Sequence, residues 1–338
     1  MLTRDFDYHL PEDRIAQRPA PRGESRLLCL DAAGPARHRR VRDLPDILRP
    51  GDLLVVNDTR VVPARLYGAG RGGGEVELLL VEKFAALEWD ALAKPGKRTR
   101  PGDRVRFADG LEAEVIATRD DGRRAFRFSE PVEPHLERLG HVPLPPYIKR
   151  ADDDADRALY QTVFASEPGA IAAPTAGLHF DEDLLARLAA AGIERSAVTL
   201  HVGIGTFKPV TAELVHEHRM ERERFAIPAA TAAALRRARE RGGRVVAVGT
   251  TVVRTLEASA LLSGGEPLAG GGATDLFITP GFRFRVVDVL LTNFHLPCST
   301  LLMLVSAFAG RELTLSAYEH AVAQRYRFYS YGDAMVIL

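Results

Sequence analysis

Gly51–Asn57, with the sequence GDLLVVN, is a short aliphatic run closed by the polar pair Asp58-Thr59. Such a run predicts a buried strand of a parallel sheet, because a strand covered on both faces shows no polar alternation. The polar residues after it fall at the carboxyl end of the strand, where open α/β sheets bind their ligands. The stretch therefore predicts an α/β fold with a binding site at this edge.

After Pro63 the pattern changes to short runs of alternating hydrophobicity. These runs are separated by turns rich in Gly, Pro and Asp, and they read EVELLLV, DRVRFADG, LEAEVIAT and RRAFRFS. Alternation without a helical period predicts a small antiparallel β-barrel over residues 63–150. The predicted organisation is an α/β layered main domain, residues 1–62 plus 151–338, interrupted by the inserted barrel.

Helical and strand patterns alternate from about Ala151 onward. A predicted helix carries acids in its first turn and a glycine at its end, and a second ends in Gly-Gly. Ser299 and Thr314 are expected to cap the N termini of two late helices. The remaining predicted elements are helices at 181–192 and 229–243 and strands at 193–200 and 244–248.

Lys and Arg together number 45, as do Asp and Glu, so the 338-residue chain as a whole does not attract a polyanion. Any nucleic acid must therefore be held by a local patch. One candidate packs four cations into seven residues, although such a run is more often a solvated turn. Its members are Lys94, Lys97, Arg98 and Arg100.

Cys29 and Cys298 lie far apart and form no CxxC motif, which indicates a reducing compartment. The N-terminal stretch has no apolar leader, and no run approaches 18 apolar residues. We therefore expect a soluble, cytoplasmic protein without membrane contact, with a monomer as the default.

Polar side chains that packing does not require recur at the predicted strand ends. Each histidine among them, taken singly, is more often structural than catalytic. Their recurrence across several βα units indicates a ligand site at one sheet edge. The residues are Asn57, Asp58, Thr59, Arg60, Thr175, His179, His201, Thr206, Thr250, Thr251, Arg254, Asn293 and His295.

Three other functions fit parts of the sequence. A dinucleotide-binding fingerprint at His201–Lys208 fails, because GxGxxG needs glycine where Lys208 stands. Several histidines, including His216 and His218, could serve a metal-dependent hydrolase, but none has zinc spacing, and no metal is predicted. A non-catalytic RNA-binding module would place its aromatic and basic residues on the barrel instead.

Long blocks of the chain, in order, resemble the S-adenosylmethionine:tRNA ribosyltransferase-isomerases of queuosine biosynthesis. They include DFDYHLPEDRIAQRP, PGDLLVVNDTRVVPARL, HVPLPPYIKR, PTAGLHF, TLHVGIGTFKPV, VGTTVVRTLE, TNFHLPCSTLL and YRFYSYGDAM. The resemblance implies an α/β domain interrupted by a barrel. It also implies transfer of the ribosyl portion of S-adenosylmethionine, a co-substrate with no further cofactor, to 7-aminomethyl-7-deazaguanine at a tRNA wobble position, giving epoxyqueuosine, adenine and methionine.

The strand-end clustering and this chemistry together suggest roles. We expect His179, His201 and His295 to supply acid and base functions, and Asp58 and Glu223 to contact the amine or sulfonium. Arg60 and Arg254 would hold carboxylate or phosphate. The other predicted substrate contacts are Asn57, Thr59, Thr175, Gly203, Gly205, Thr206, His218, Thr250, Thr251 and Asn293.

Two further features bear on the site. The family usually reads Met-His-x-Glu where this chain has Met220-Glu221-Arg222-Glu223, so no histidine role is carried over to Glu221. Tyr329-Ser330-Tyr331, with Arg325 and Arg327, is a possible platform for a splayed base, although such a cluster is more often core packing.

Overall fold

A computed structural model describes residues 1–31, 35–203, 205 and 210–338. The chain divides into two compact units. The first comprises Met1–Arg60, Pro146–Arg150 and Ala158–Leu338, and the second comprises Val61–Pro145 and Ala151–Arg157. The chain passes from the first unit to the second at 60/61 and returns between residues 145 and 158. The predicted boundaries at 62/63 and 150/151 fall close to these points.

Within the described residues the strands are β1 (Arg26–Leu30), β2 (Arg37–Arg40), β3 (Leu53–Asn57), β4 (Thr59–Val61), β5 (Arg65–Ala69), β6 (Glu75–Ala85), β7 (Glu88–Lys94), β8 (Arg104–Arg106), β9 (Glu112–Thr118), β10 (Arg124–Phe128), β11 (Glu167–Ala170), β12 (Glu194–Leu200), β13 (Glu223–Ile227), β14 (Val245–Val248), β15 (Gly270–Thr274), β16 (Val289–Asn293) and β17 (Ala334–Ile337). The helices are α1 (Leu44–Ile47), α2 (Glu133–Leu139), α3 (Asp156–Leu159), α4 (Glu182–Ala190), α5 (Ala229–Glu240), α6 (Thr250–Ser263), α7 (Thr300–Ala309) and α8 (Arg311–Ala323).

The first unit is built on one mixed sheet with the described strand order β15-β13-β12-β3-β14-β16-β17-β1-β2. Strands β12, β3, β14 and β16 run parallel, and the outer strands β13 and β15 are antiparallel. The predicted central strand is confirmed as β3, whose five residues are all buried. Parallel strands end at one edge, so the segments after β12, β3, β14 and β16 come together.

The ends of the predicted helices in this unit were located with one error, whereas helix α6, which begins at Thr250, was not predicted. Ser299 caps α7 as predicted, because its Oγ accepts a hydrogen bond from Leu302 N at 3.2 Å. The prediction for Thr314 is wrong, since α8 begins at Arg311 and Thr314 lies inside it. Its buried hydroxyl donates to Gly310 O at 2.8 Å, which is how a threonine is tolerated within a helix.

The second unit is a closed antiparallel barrel with the order β10-β7-β6-β5-β8-β9. Alternate side chains of each strand fill its interior, as in β8, where Val105 is buried between exposed Arg104 and Arg106. The interior also holds Leu66, Leu78, Val115 and Phe126, all fully buried. The predicted fold class, an α/β unit with an inserted antiparallel barrel, is confirmed.

In the described ranges no single helix has the length and apolar character needed to cross a membrane. Helices α7 and α8 meet that test by length and composition only as a pair, with a bend of 115° between them. Residues of both helices, such as Val305 and Tyr318, pack in the core of the first unit.

Candidate active site

A cleft of about 680 Å³, including space open to solvent, lies at the carboxyl ends of β14 and β16. It contains five of the predicted site residues, Thr175, Thr250, Thr251, Asn293 and His295. No side chain on its described wall is Asp, Glu, Lys or Arg. The other wall residues are Tyr147, Ala172, Ala173, Pro174, Ala176, Val202, Gly249, Thr292, Phe294, Leu296, Ser299, Leu301, Tyr329 and Ser330.

Helix N termini supply the polarity of this cleft. Helix α6 begins at Thr250 directly after Gly249, whose φ of 92° favours glycine. Helix α7 begins after Ser299, and a 3-10 helix begins at Thr175. First-turn N–H groups have no intrahelical acceptor and carry a partial positive charge. The cleft thus offers hydrogen-bond donors to an anionic group without a formal cation.

His295 is a neutral group in the cleft wall. Burial lowers its pKa to about 3, so the imidazole carries no charge near neutral pH. Its Nε2 lies 2.9 Å from Thr292 Oγ1, and its backbone N donates to Tyr318 Oη. Tyr8 Oη donates to the His295 carbonyl. The two tyrosines hold the backbone of His295, and the bond to Thr292 Oγ1 orients its ring.

His179 is buried behind the cleft wall. Burial, and then Arg327, lower its pKa to about 4, while neighbouring Asn293 acts in the opposite direction. Its Nδ1 lies 3.0 Å from Ser25 Oγ. Within the described residues, His179 Nε2 and Asn293 Oδ1 are buried and make no hydrogen bond. Such orphaned atoms are rare in native proteins and indicate a place for a ligand or water.

The two depressed histidine pKa values predict acid sensitivity of the fold. Near pH 7.5 both rings are neutral in the folded and unfolded states, so neither affects stability. Below the unfolded value of 6.5 the unfolded chain gains protons that the folded chain does not bind until about pH 4 for His179 and 3 for His295. At pH 5 each histidine should therefore lower the free energy of unfolding by about 2 kcal/mol.

Urea denaturation of the wild type and of His179→Gln at both pH values measures this effect. The loss between pH 7.5 and 5 should be about 2 kcal/mol smaller in the variant. The pH 7.5 measurement is the control, since it records the cost of the substitution itself. An equal pH-dependent loss in both proteins would contradict the depressed pKa.

A second polar cluster lies at the ends of β3 and β12. Thr199 Oγ1 donates to Asp58 Oδ1 at 2.7 Å, and Thr59 Oγ1 lies 2.8 Å from His201 Nδ1. Burial and nearby Glu167 raise the pKa of Asp58. Burial and Arg224 lower the pKa of His201. Both shifts favour the neutral form of each group, as burial does for an acid and for a base.

His201 is adjacent to the cleft, although it does not line it. Its neighbour Val202 is part of the cleft wall. Gly169 has a φ of 146°, and a Cβ there would lie 3.0 Å from the His201 ring. Glycine therefore permits the backbone of the 167–170 segment to approach the imidazole closely.

Asn57 has a structural role at this edge. Its Nδ2 donates to Leu200 O and to Thr251 Oγ1, and its Oδ1 accepts from Thr59 N and Leu200 N. All four bonds measure between 3.0 and 3.2 Å. The amide thus joins the ends of β3 and β12 to the first turn of α6, and it orients Thr251 rather than offering a free group.

Glu223 and Arg254 form an ion pair with only 6% and 5% of their side chains exposed. Glu223 Oε1 also accepts from Gly203 N at 3.1 Å, and Arg254 Nε donates to Leu276 O at 3.0 Å. Arg254 Nη2 is buried and has no hydrogen-bond partner in the described part of the chain. The two charges neutralise each other, and the bond from Gly203 N to Glu223 holds the backbone that follows β12.

Glu221, the departure from the family pattern, lies against the same loop. A Cβ on Gly205 would lie 2.9 Å from the Glu221 carboxyl carbon. Glycine at 205 therefore leaves the space that this side chain occupies. Thr206, also predicted to bind substrate, lies outside the described residues.

The remaining predicted site residues are placed apart from the cleft wall. Arg60 is exposed on β4. His218 is half-buried, its ring edge-on to Phe277 with centroids 5.3 Å apart, and burial lowers its pKa. In the barrel, Lys94, Lys97 and Arg100 are exposed, but Arg98 folds back and donates to Glu75 O.

The cleft also contains residues that sequence reasoning did not assign to it. Tyr147 and Tyr329 have ring centroids 3.9 Å apart, and Tyr147 Oη is hydrogen-bonded to Ser330 Oγ. Tyr329 has a φ of 72°, which is strained for a residue with a side chain. The YSY run signalled an aromatic cluster, but no local pattern pointed to Tyr147 or Thr292.

Across the described ranges, no group of three or more His, Cys, Asp or Glu side chains converges to hold a metal ion. Cys29 and Cys298 are free thiols. The described residues therefore contain no ligand set that would support a metal-dependent hydrolase.

Comparison with known proteins identifies the family. A model described as queuosine biosynthesis protein matches residues 3–337. The chain belongs to this family. A protein of Gloeobacter violaceus named S-adenosylmethionine:tRNA ribosyltransferase-isomerase is 56% identical over all of this chain and 96% of its own length. One of Anaeromyxobacter with the same name is 55% identical over all of this chain and 99% of its own length.

A solved structure agrees with the family assignment. The crystal structure of S-adenosylmethionine tRNA ribosyltransferase from Thermotoga maritima matches with a TM-score of 0.57 and 40% identity, over 99% of this chain and 100% of that one. The queuosine family is a family of enzymes, and this chain is one of them. Its blocks PTAGLHF, VGTTVVRTLE, TNFHLPCSTLL and YRFYSYGDAM each contribute residues to the cleft wall.

Proposed function

We propose that this enzyme transfers the ribosyl portion of S-adenosylmethionine to 7-aminomethyl-7-deazaguanine at the wobble position of a tRNA and isomerises it to epoxyqueuosine. Adenine and methionine are released. The observation that carries the proposal is the cleft itself, since four family blocks converge on one uncharged and largely apolar pocket that also presents Thr, Ser, Asn and His groups. S-adenosylmethionine serves as co-substrate, and the reaction requires no further cofactor.

The reaction needs a base, because a proton must leave the ribosyl carbon beside the sulfonium. A base works best with a pKa near the operating pH. The raised pKa of Asp58 moves this carboxyl group toward that range, and the lowered pKa of His201 keeps its imidazole neutral and able to accept a proton. The pKa values of about 4 and 3 for His179 and His295 suit those rings to act as neutral hydrogen-bonding groups.

The cleft wall fits the other demands of the reaction. The N termini of α6 and α7, at Thr250 and Ser299, offer donors to the methionine carboxylate or to the oxyanion that forms when the ribose ring opens. Tyr147 and Tyr329, whose rings are in contact and tilted by 41°, offer an aromatic surface to a base. Asn293 lines the cleft, and its amide group can contact the polar edge of the same substrate.

Free adenine is the product that tests the proposal. The enzyme is incubated with S-adenosylmethionine and a tRNA carrying the deazaguanine precursor, and adenine is measured by chromatography. We expect adenine and methionine in equal amounts, with neither released when the tRNA carries unmodified guanine. Binding of tRNA without adenine release would instead favour the RNA-binding module.

We also propose the partners, the cellular location and the oligomeric state of the enzyme. The partners are tRNA and S-adenosylmethionine, and the enzyme acts in the cytoplasm, where tRNA is modified. We propose a monomer as its default assembly. Sedimentation of the protein with and without tRNA would measure this, and an active dimer would contradict it.

A further inference from the structure

The barrel unit has a cleft of its own at the turn joining β5 to β6 and the turn before β8. Its volume is about 870 Å³, including open solvent space. Arginine and glycine dominate its described wall, which consists of Ala69, Gly70, Arg71, Gly72, Gly73, Gly102, Asp103, Arg104 and Arg106. We call it the barrel-end cleft.

The glycines of this cleft leave the backbone open to a ligand. Gly72, Gly73 and Gly102 have φ values of 77°, 77° and 88°. A Cβ at any of them would meet nothing within 4 Å, so packing does not require glycine there and the surface is accessible. Glycine is favoured at these three positions because their φ values are positive. The exposed turns present main-chain groups beside the guanidinium groups of Arg71, Arg104 and Arg106.

The arginines are exposed and available. Arg104 and Arg106 alternate with buried Val105, so both side chains lie on the outer face of β8, about 6.6 Å apart along the strand. Arg104 pairs with Glu114 at 3.5 Å and Arg106 with Glu112 at 3.0 Å, with 64% and 76% of the arginine side chains exposed. Exposed pairs of this kind contribute little to stability, so a phosphate can compete for the guanidinium groups.

The cleft is continuous with the cationic run predicted from sequence. A Cβ on Gly70 would lie 3.6 Å from Arg98 O, which places the Gly96–Arg98 turn beside the cleft. The carboxylate of Asp103, in the cleft wall, accepts a hydrogen bond from Arg100 N at 2.9 Å and thereby stabilises the turn before β8. Exposed cations of these turns and of β8 include Arg71, Lys97, Arg100, Arg104 and Arg106, and Glu112 and Glu114 pair with two of them.

We propose that the barrel-end cleft binds the phosphate backbone of RNA through Arg71, Arg104 and Arg106. This inference rests on the proposed function, because the RNA is then the substrate tRNA. Phosphate contacts position a nucleic acid without reading its sequence, and each releases counterions. The cleft thus contributes affinity for the tRNA body, while base recognition belongs to the first unit.

Fluorescence anisotropy of labelled tRNA across a KCl series tests the assignment. The triple variant Arg71→Gln/Arg104→Gln/Arg106→Gln should bind at least about 10-fold more weakly, with the slope of log K against log salt reduced by about 2 to 3. The matching Arg→Lys triple should keep most of the slope, because lysine binds phosphate as a point charge.

The control variant is Arg119→Gln/Arg123→Gln/Arg127→Gln. These arginines are also paired with carboxylates, those of Asp90, Asp121 and Glu88. They lie away from the cleft wall, and their loss should leave affinity and slope unchanged. Equal effects in both triples, or an unchanged slope in the cleft triple, would overturn the proposal.

Adenine release separates this inference from the proposed function. At saturating tRNA the cleft triple should keep the wild-type kcat and the KM for S-adenosylmethionine, with a raised KM for tRNA only. A wild type that releases no adenine would contradict the proposed function, whereas the binding series would still report on the cleft. A cleft triple with lower kcat at saturating tRNA would contradict a role confined to RNA binding.

Discussion

Replacing Asp58 by Asn should lower the rate constant for adenine release by about 10²- to 10⁴-fold, the usual contribution of a general acid or base. Asn keeps an oxygen that can accept the 2.7 Å hydrogen bond from Thr199 Oγ1, so the fold should persist. What the variant loses is the ionisable carboxyl group. Burial and Glu167 raise the pKa of that group toward the range in which it can take and return a proton.

The pH profile of adenine release tests the same assignment. The pKa of Asp58 is raised above 3.8 and that of His201 is lowered below 6.5, so activity should fall as the pH drops between these values. Glu167→Gln is the matched variant, because it removes a negative charge that raises both pKa values. Its acid limb should move to lower pH while the plateau rate stays near that of the wild type.

Two outcomes would contradict this assignment. The first is wild-type activity in Asp58→Asn across the whole pH range. The second is an acid limb that does not move in Glu167→Gln. His201→Gln separates the partners, because a loss in that variant alone would assign proton transfer to the imidazole and leave Asp58 as a group that tunes its pKa.

Sequence periodicity was sufficient to predict most of the fold. The change of period near Pro63 follows from the geometry of a strand, whose side chains alternate between the barrel interior and solvent. Capping was less certain, because Ser299 and Thr314 look alike in sequence. The difference lies in Gly310, where the chain turns with a φ of 90° so that α8 begins three residues before Thr314.

The site was predictable only where topology determines proximity. Thr250, Thr251, Asn293 and His295 follow β14 and β16, and neighbouring parallel strands bring their carboxyl ends together. Tyr147 could not be assigned in this way, because it belongs to a segment that follows the barrel and reaches the cleft only through tertiary packing.

Hydrogen-bond satisfaction is equally invisible in a sequence. Asn57 looks like a free polar group at a strand end, yet all four of its amide bonds are internal. From the sequence alone, His179 and His295 both qualify as possible catalytic bases. Only burial shows that both are neutral at the pH where the enzyme works.

Glu223→Gln should lower the free energy of unfolding by about 3–5 kcal/mol, the usual cost of removing one partner of a buried ion pair. The reason is that Arg254, with 5% of its side chain exposed, would keep its charge without a counterion. Replacing both partners, as in Glu223→Gln/Arg254→Met, should recover much of this loss, because no buried charge remains. Urea denaturation of the wild type, both single variants and the double variant measures the coupling.

Glu24→Gln is the matched control for this cycle. Glu24 also accepts from two arginines, Arg40 and Arg42, but its side chain is 38% exposed. Its loss should cost less than about 1 kcal/mol. A double variant as unstable as Glu223→Gln, or equal losses for Glu223→Gln and Glu24→Gln, would show that the buried pair does not stabilise the fold through charge. Because Glu223 Oε1 also holds Gly203 N at 3.1 Å, the single variant should raise the KM for S-adenosylmethionine through the loop after β12.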